Sequence, residues 1–398
     1  MRIVPRATPA TLMRRPSAVT VLTSLSLGSA QTRYHCRMDF ALDAEQSLIV
    51  QTVKKFSDRD LRGWAADADR AGVAPDRLTA LGGELGFFLD AVPVDADGLL
   101  DGDYSHLTRA LRGFELGRGC PALAALLETN VEPALAVNRW GSAAAKKALF
   151  SSLAAGGLAT LAHDSRGTLE LGEEGLNLRV SGKLGPVPAL AAATHVLVAA
   201  KDVLFLLATD GIHRDAMTPS GWRAAKWATA TLTAHRIPAD FVLARGTAAQ
   251  AAIAEVLTWA RASLAARAAG VAVASMEYAE HYAKERIQFG QAIGQFESLI
   301  RLRDDALTTA SAAKLFALHA AWAIDKGLPS AHDLASRARV LAGDAVTRAT
   351  IDSVQIYGGY GFVNDFPVEK LLRDARAFEA LHGDERLGRV LAEKARKE

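Results

Sequence analysis

The chain of 398 residues is too long for one compact core and is expected to contain two or three structural units. Half of its residues are hydrophobic and only 7% are aromatic, so alanine and leucine must fill most contacts between helices. The formal net charge is +2, but residues 1–37 carry six arginines and no acid, and elsewhere 40 basic residues face 44 acidic ones. No basic stripe remains to neutralise phosphates, so no nucleic-acid-binding surface is expected.

Residues 1–37 are rich in arginine, serine and threonine, which is the composition of an organellar transit peptide. We favour a start of translation at Met38, where a helical pattern opens, and a cytoplasmic protein. The alternative is that residues 1–37 are a transit peptide, which would indicate the mitochondrial matrix. The two cysteines, Cys36 and Cys120, are too few for a disulfide framework, and the histidines lack metal-ligand spacing. We expect no metal site and no membrane span.

Three further regions follow in chain order. Residues 38–155 show helical spacing and predict an N-terminal helical domain. Residues 156–248 contain short apolar runs such as "NLRVSG" and "THVLVAAKDVLFLLAT" between Gly, Pro and Asp, which predict a middle β domain. Residues 249–398 return to long alanine-rich helical segments, which favour a four-helix bundle. The predicted fold class is mainly α with a small, barrel-like β domain in the middle.

The common sequence motifs of dinucleotide-binding proteins, P-loop proteins and hydrolases are missing. No G-x-G-x-x-G follows a strand, and neither G-x-x-x-x-G-K nor G-x-S-x-G occurs. Enzymatic chemistry would therefore need a bound organic cofactor.

The stretch "YAKERIQFGQAIGQFESL", residues 282–299, ends a long helix with two glycines. It places a guanidinium, an amide and a ring together at Arg286, Gln288 and Phe289, which would suit a pyrophosphate next to a flat heterocycle. The alternative is an ordinary turn between two helices with a surface arginine.

The stretch "QIYGGYGFVNDFPVEKLLRDAR", residues 355–376, places three glycines among aromatic residues. Gly358 and Gly359 would let the main chain approach a ligand and donate N–H groups to it. The alternative is a turn packed by Tyr357, Tyr360 and Phe362.

Together these two stretches resemble the signatures of the acyl-CoA dehydrogenase family: Arg-x-Gln-Phe-Gly with a following Phe-Glu, and Gln-x-x-Gly-Gly-x-Gly with Pro-Val-Glu and Arg-Asp-Ala-Arg. Weaker echoes such as "FELGRGCPAL" and "IPADFVL" extend the resemblance from Met38 to the end. It implies an FAD enzyme with a helical domain, a β domain and a helical bundle, assembled as a homo-oligomer or with a paralogue. It also implies an acyl-CoA substrate and a separate electron-acceptor flavoprotein.

The resemblance carries over to individual positions. The residues implied to contact FAD, from this chain or toward a neighbouring subunit, are Arg286, Gln288, Phe289, Gln355, Gly358, Gly359 and Asp384. Arg261 and Gly383 would lie beside the acyl-CoA thioester.

The family reaction removes a proton next to the thioester carbonyl, usually with a Glu that follows Arg-Asp-Ala-Arg after five intervening residues and precedes a Gly. Here that position holds His382. Other members carry the Glu one residue before the position of Arg261, where this chain has Ala260. Three hypotheses remain for this site: His382 is the base, it is a relic in a subunit that does not catalyse, or the base is Glu379.

The chain departs from the family pattern elsewhere too. The middle domain lacks the family motifs Thr-Glu-Pro-x-Ala-Gly-Ser-Asp and Trp-Ile-Thr, so the resemblance assigns residues to the adenine half of FAD but none of this domain to the reactive ring. Asp384 replaces a hydroxyl residue and would repel the cofactor phosphates.

The leading hypothesis is an FAD-dependent α,β-dehydrogenation of an acyl-CoA thioester. A catalytically impaired partner subunit of a mixed oligomer is the main alternative. A flavin monooxygenase of the same fold is a third, which the "QFGQAIGQFE" match disfavours.

Overall fold

The structure is a computed structural model that describes residues 41–379 and residue 381. His382, Gly383 and Asp384, as well as the segment 1–37, lie outside the described residues. Within the described part, no helix has both the length and the apolar character needed to cross a membrane.

Helices occupy the first part of the described chain. Asp43 caps the first of them, because its carboxylate accepts the Gln46 N–H at 2.7 Å while the Gln46 side chain accepts the Asp43 N–H. The fourth begins at a cap built by Ser105 and by Asp325, a residue distant in sequence. The helices are α1 (Ala44–Phe56), continuing through a π-helical turn (Ser57–Leu61) into α2 (Arg62–Ala71), then α3 (Arg77–Glu84), α4 (His106–Gly119), α5 (Pro121–Leu127), α6 (Val131–Trp140) and α7 (Ala143–Ala154).

Eight strands follow and form two four-stranded sheets, with strand orders β1-β4-β5-β8 and β2-β3-β7-β6. In the first sheet, β1 and β4 are parallel, and the other neighbours are antiparallel. The strands are β1 (Ala159–Asp164), β2 (Leu169–Glu174), β3 (Asn177–Val187), β4 (His195–Ala200), β5 (Val203–Ala208), β6 (His213–Ala216), β7 (Ala228–Ile237) and β8 (Val242–Arg245).

The first sheet is buried on both faces, which explains its nearly continuous apolar strands. Alternate residues such as Val196 and Phe205 join a core shared with the second sheet. Their neighbours, such as Leu197 and Leu204, pack instead against the helices. The sheet therefore connects the β domain to the helical parts and places the end of β1 next to the central helix.

The last part of the chain is helical: α8 (Gly246–Glu285), a small hairpin of β9 (Ile287–Gln288) and β10 (Gln291–Ala292), α9 (Glu297–Asp325), α10 (Ala331–Tyr357), a 3-10 turn (Gly358–Phe362) and α11 (Pro367–Phe378). Helix α8 is buried on almost all sides between Ala252 and Met276. It contacts α4 backbone to backbone, because a Cβ on Gly117 would lie 2.2 Å from the Arg267 oxygen.

The predicted fold class is confirmed: the protein is mostly helical with a small sheet domain in the middle. The long helix predicted within residues 249–398 is present as α8, although it begins slightly earlier than that. The domain boundaries at residues 155 and 248 remain predictions.

Candidate active site

A small cavity lies where α8 passes the junction of α5 and α6, the start of β1 and the chain just after α11. Its volume is about 50 Å³, room for about three or four water molecules. Ala260 lines this cavity, and so does Leu381, the residue before His382. The family resemblance expects a base at the position of Ala260 or of His382. Ala260 itself and Leu381, the neighbour of His382, therefore line the same cavity.

The wall of this cavity is a buried network of charges that sequence reasoning missed. Arg109 holds Glu132 with two hydrogen bonds of 2.8 and 3.1 Å. Glu128 accepts hydrogen bonds from Arg112 at 3.0 Å and from Arg267 at 2.6 Å. Burial alone would raise the pKa of Glu128, but the three guanidinium groups outweigh it and lower the pKa to about 2. Glu128 is thus a permanently ionised structural carboxylate rather than a proton acceptor.

Three buried N–H donors among the residues that line this cavity lack a hydrogen-bond acceptor in the described part of the chain. They are Trp222 Nε1, Arg109 Nε and Arg267 Nε. For Arg109 Nε the ion-paired Glu128 oxygen is 3.9 Å away. Because an unpaired buried donor costs about 1–3 kcal/mol, the cavity suits an occupant with acceptor oxygens rather than a plain alkyl chain.

The loop that carries Trp222 is clamped against α11. A Cβ on Gly221 would lie 2.1 Å from the Arg373 oxygen, so only glycine allows this approach. Trp222 N–H donates to Asp374 at 2.7 Å, and the Trp222 ring meets Phe378 edge-on at 4.8 Å. These contacts fix the end of α11, and with it the chain that leads toward His382.

Glu379, the third candidate base, is described and does not line this cavity. Its carboxylate forms an ion pair with Arg376 at 2.5 Å, one helical turn earlier on α11. The Glu379 carboxylate is therefore already engaged in an ion pair.

Arg261 lies on a different face of α8 from Ala260 and is not among the residues that line the cavity. Its guanidinium is buried and points toward α10, with Nη1 3.5 Å from Ser336 Oγ. Burial and the charge of Arg339 lower its pKa to about 10. Burial, with a smaller effect of Arg261, lowers the pKa of His163 at the end of β1 to about 4, so this imidazole is neutral at pH 7.

The hairpin after α8 presents the first predicted cofactor segment. Phe289 is 93% exposed and has a left-handed backbone with φ of 51°. The Arg286 guanidinium lies 5.6 Å from the centre of the Tyr360 ring, so the two signature stretches meet within one chain. The segment is indeed a turn between helices, but its exposed ring is a large apolar group with few contacts of its own.

The glycine turn after α10 presents the second segment. Gln355 is exposed on the last turn of α10, and Gly358 has a φ of 59° that favours glycine. Tyr357 stacks on Tyr282 with ring centres 4.2 Å apart, so part of the expected aromatic packing is present. Phe362, in contrast, is 77% exposed.

A second cavity of about 210 Å³ lies between these segments. It is bounded by the residues that follow the hairpin, by α8 and α9, and by Ile356 next to Gln355. Its lining is mainly small and apolar, with Glu280, Lys284 and Arg303 at the edge. A flat heterocycle such as adenine would fit this lining, but Gln355, Gly358 and Gly359 do not line the cavity, so their contacts with FAD stay predictions.

The region expected near the reactive flavin ring is built differently. At the end of β1, Asp164 accepts hydrogen bonds from the Thr168 N–H at 2.8 Å, the Thr168 hydroxyl at 2.9 Å and the Leu169 N–H at 2.9 Å. The hydroxyl and main-chain groups of this turn are therefore used in hydrogen bonds within the turn.

Comparison with known proteins assigns the chain to a family. Residues 43–157 match the N-terminal domain of acyl-CoA dehydrogenases, and residues 250–395 match the C-terminal domain. These two matches together span more than half of the chain. The protein belongs to the acyl-CoA dehydrogenase family.

Individual relatives agree with this assignment. An acyl-CoA dehydrogenase of Bacillus subtilis is 41% identical over 134 residues, 34% of this chain but only 35% of that relative. A probable acyl-CoA dehydrogenase, YngJ, of the same organism is 28% identical over 89% of this chain and 98% of its own length. The structure of butyryl-CoA dehydrogenase from Megasphaera elsdenii superposes with a TM-score of 0.81 at 23% identity, covering 91% of this chain and all of that one. The predicted enzyme class, a flavin-dependent oxidoreductase of acyl-CoA metabolism with FAD as cofactor, is confirmed at the level of the family.

Proposed function

We propose that the protein takes part in the α,β-dehydrogenation of an acyl-CoA thioester. The observation that carries this proposal is the cavity shared by Ala260 and Leu381. This cavity supports the proposal because it brings Ala260 together with the residue before His382, even though neither expected carboxylate is present.

In this reaction the chain must acidify the carbon next to the thioester carbonyl, take up its proton and exclude water. Trp222 Nε1 is a buried donor that suits a thioester oxygen. Trp222 and Leu264 contribute buried apolar surface to the cavity, which would help to exclude water. FAD, when bound, supplies the hydride acceptor. His382 is the proposed proton acceptor, because a neutral imidazole is a competent base near pH 7.

The volume and chemistry of the cavity favour a compact acyl group. About 50 Å³ leaves little room beyond a few non-hydrogen atoms, and Arg109, Glu132 and Arg267 supply a charged wall. A long alkyl chain would have to displace buried, paired charges, at a cost of several kcal/mol.

For the cofactor we propose contacts from both signature segments. Arg286 would face the pyrophosphate, while Gln355, Gly358 and Gly359 would hold the adenine end. The exposure of Phe289 supports a contact with a neighbouring subunit, in a homo-oligomer or with a paralogue. A separate electron-transfer flavoprotein is the proposed acceptor of the electrons.

A second candidate function is that of a non-catalytic partner subunit. It is favoured by the lack of any uncommitted carboxylate among the described residues that line the cavity, since Glu128 and Glu132 are both held by arginines. In this case the hairpin at Phe289 would complete the cofactor site of an active paralogue.

One experiment separates the two candidates. Residues 38–398 are purified alone, the flavin spectrum is recorded, and acyl-CoAs from three to eight carbons are added without oxygen in the presence of an electron acceptor. Independent catalysis predicts bound flavin that the shorter acyl-CoAs bleach, and His382→Ala abolishes the bleaching. Flavin that is retained only on co-expression with a paralogue, with turnover insensitive to His382→Ala, would establish the partner subunit and refute independent catalysis.

A further inference from the structure

A third cavity, of about 370 Å³, lies between α2, the part of α8 around Tyr278 and the start of α11. It is more spacious than either the cavity at Ala260 or the one beside the hairpin, and it has the size of a small-molecule site. None of the residues proposed to contact FAD or the acyl group lines it. We propose that this cavity binds a phosphorylated small molecule with a flat ring, of the class of nucleoside monophosphates.

Charge is the first argument for a phosphate. Five cationic side chains line the cavity, against three carboxylates, Asp69, Asp365 and Glu369. The cations are Arg62, Arg70, Arg223, Lys370 and Arg373. The lining therefore has an excess of positive charge, although the chain as a whole is almost neutral.

Most of these cations already have partners inside the protein. Arg373 is held by Asp69 and by Glu369, each at 2.6 Å. Lys370 is buried against Asp374 at 2.5 Å. These pairs build a rigid frame that a ligand would meet without reorganising it.

Arg223 is the exception. Within the described part of the chain its guanidinium makes no hydrogen bond and no ion pair, and its Nε is buried without an acceptor. A guanidinium fork that lacks an acceptor fits a phosphate, which can receive two parallel N–H bonds. Arg70 lies on the same lining and has only a loose, exposed pair with Asp67 at 3.4 Å.

Aromatic side chains also line the cavity. Tyr278 and Phe366 line it, and the Arg62 guanidinium already lies 5.2 Å from the centre of the Tyr278 ring. A heterocycle could stack beside this pair. Helix α11 begins at the same place with Pro367 and without a side-chain cap, so its positive end adds to the attraction for an anion.

The test is calorimetric titration of the full chain in buffer saturated with FAD, so that the proposed FAD contacts are occupied. Adenosine 5′-monophosphate, inorganic phosphate and adenosine are the three probes. The nucleotide is expected to bind tightest, phosphate more weakly and adenosine weakest. Arg223→Gln should lower the affinity for the nucleotide about tenfold or more, as the loss of a charged hydrogen bond requires.

Two control variants separate this site from others. Arg166→Gln makes the same change of charge at an exposed position outside the cavity and should leave binding unchanged. Arg286→Ala should lower flavin retention and leave nucleotide binding unchanged. The proposal is overturned if no probe binds, if Arg223→Gln binds the nucleotide as tightly as the unmodified protein, or if Arg286→Ala abolishes that binding. These outcomes are independent of acyl-CoA turnover.

Discussion

The buried cavity at Ala260 and the exposed hairpin at Phe289 differ in how much of the chain supports them. The cavity wall is made of intrachain contacts, with Glu128 and Arg267 joined at 2.6 Å across 139 residues. Phe289 is 93% exposed and touches one ring, that of Phe296. Yet the hairpin carries the strongest family signature, whereas the cavity carries the departures from it.

We predict that the cavity wall serves the fold and that the hairpin serves a contact outside the chain. The left-handed backbone at Phe289 costs a non-glycine residue free energy, and its ring is exposed enough to contact another molecule. The charged wall, in contrast, is held together by pairs within the chain, although Arg109 Nε and Arg267 Nε lack an acceptor among the described residues. Changes in the cavity should therefore alter the free energy of unfolding, whereas changes in the hairpin should alter cofactor retention.

The largest expected effect is that of Glu128→Gln. It removes the charge that three buried guanidinium groups share, and breaking such a network destabilises a protein by about 3–5 kcal/mol. Urea denaturation followed by circular dichroism measures this free energy of unfolding. Glu297→Gln, which breaks an exposed pair with Arg301, should change it by less than about 1 kcal/mol. Equal effects of the two variants would show that the wall is not a structural network.

Gly117→Ala should act on the same wall through the backbone. The added Cβ would lie 2.2 Å from the Arg267 oxygen, so α4 and α8 must separate, at an expected loss of about 1–3 kcal/mol. Thermal unfolding measures the change. Gly63→Ala, a helical glycine with no neighbouring atom within 4 Å, should instead be neutral or stabilising. A neutral Gly117→Ala would contradict the close crossing of the two helices.

Stability should also depend on pH through His163. Its folded pKa of about 4 lies below the usual 6.5, so the unfolded chain binds more protons as the pH falls through that interval. The free energy of unfolding should decline by about 1–2 kcal/mol from pH 6.5 to pH 4. This is less than the full pKa shift would give, because the ring is partly exposed.

Denaturation at pH 7.5, 6.0 and 5.0 tests this dependence. His163→Gln should make the decline smaller, because glutamine does not titrate, but should not remove it, because burial also lowers the pKa of His106, to about 3. The exposed His213→Gln should leave the decline unchanged. A decline that persists undiminished in His163→Gln would place its origin in other groups.

The smallest effect on stability is expected from Phe289→Ala. The side chain is almost fully exposed, so the free energy of unfolding should change by less than about 0.5 kcal/mol. Flavin retention should nevertheless fall about two- to tenfold, the usual value of one aromatic contact. The ratio of flavin absorbance to protein absorbance after gel filtration measures it. Leu176→Ala, at a similarly exposed apolar residue of the β2–β3 turn, should leave the ratio unchanged, and an equal loss there would refute a specific role for Phe289.

Local patterns were sufficient for the fold class, the long helix and the family. Helical spacing and short β-branched runs depend on neighbours a few residues apart, and the two signature stretches are contiguous in the chain. The family resemblance also predicted that Ala260 stands where other members carry a carboxylate. Ala260 and Leu381 line the same cavity, and the role of that position stays a prediction.

The partners and burial of charged residues were decided only by the tertiary structure. In the sequence, Arg109, Glu128 and Arg267 have the pattern of ordinary solvated helix residues, because their partners lie on other helices. The packing of α8 decides that Arg261 lies outside the cavity lined by Ala260. Tertiary packing also brings several cations together around Arg223. A motif is local and can be read along the chain, but the dielectric surroundings and the partner of a charge are set by long-range packing.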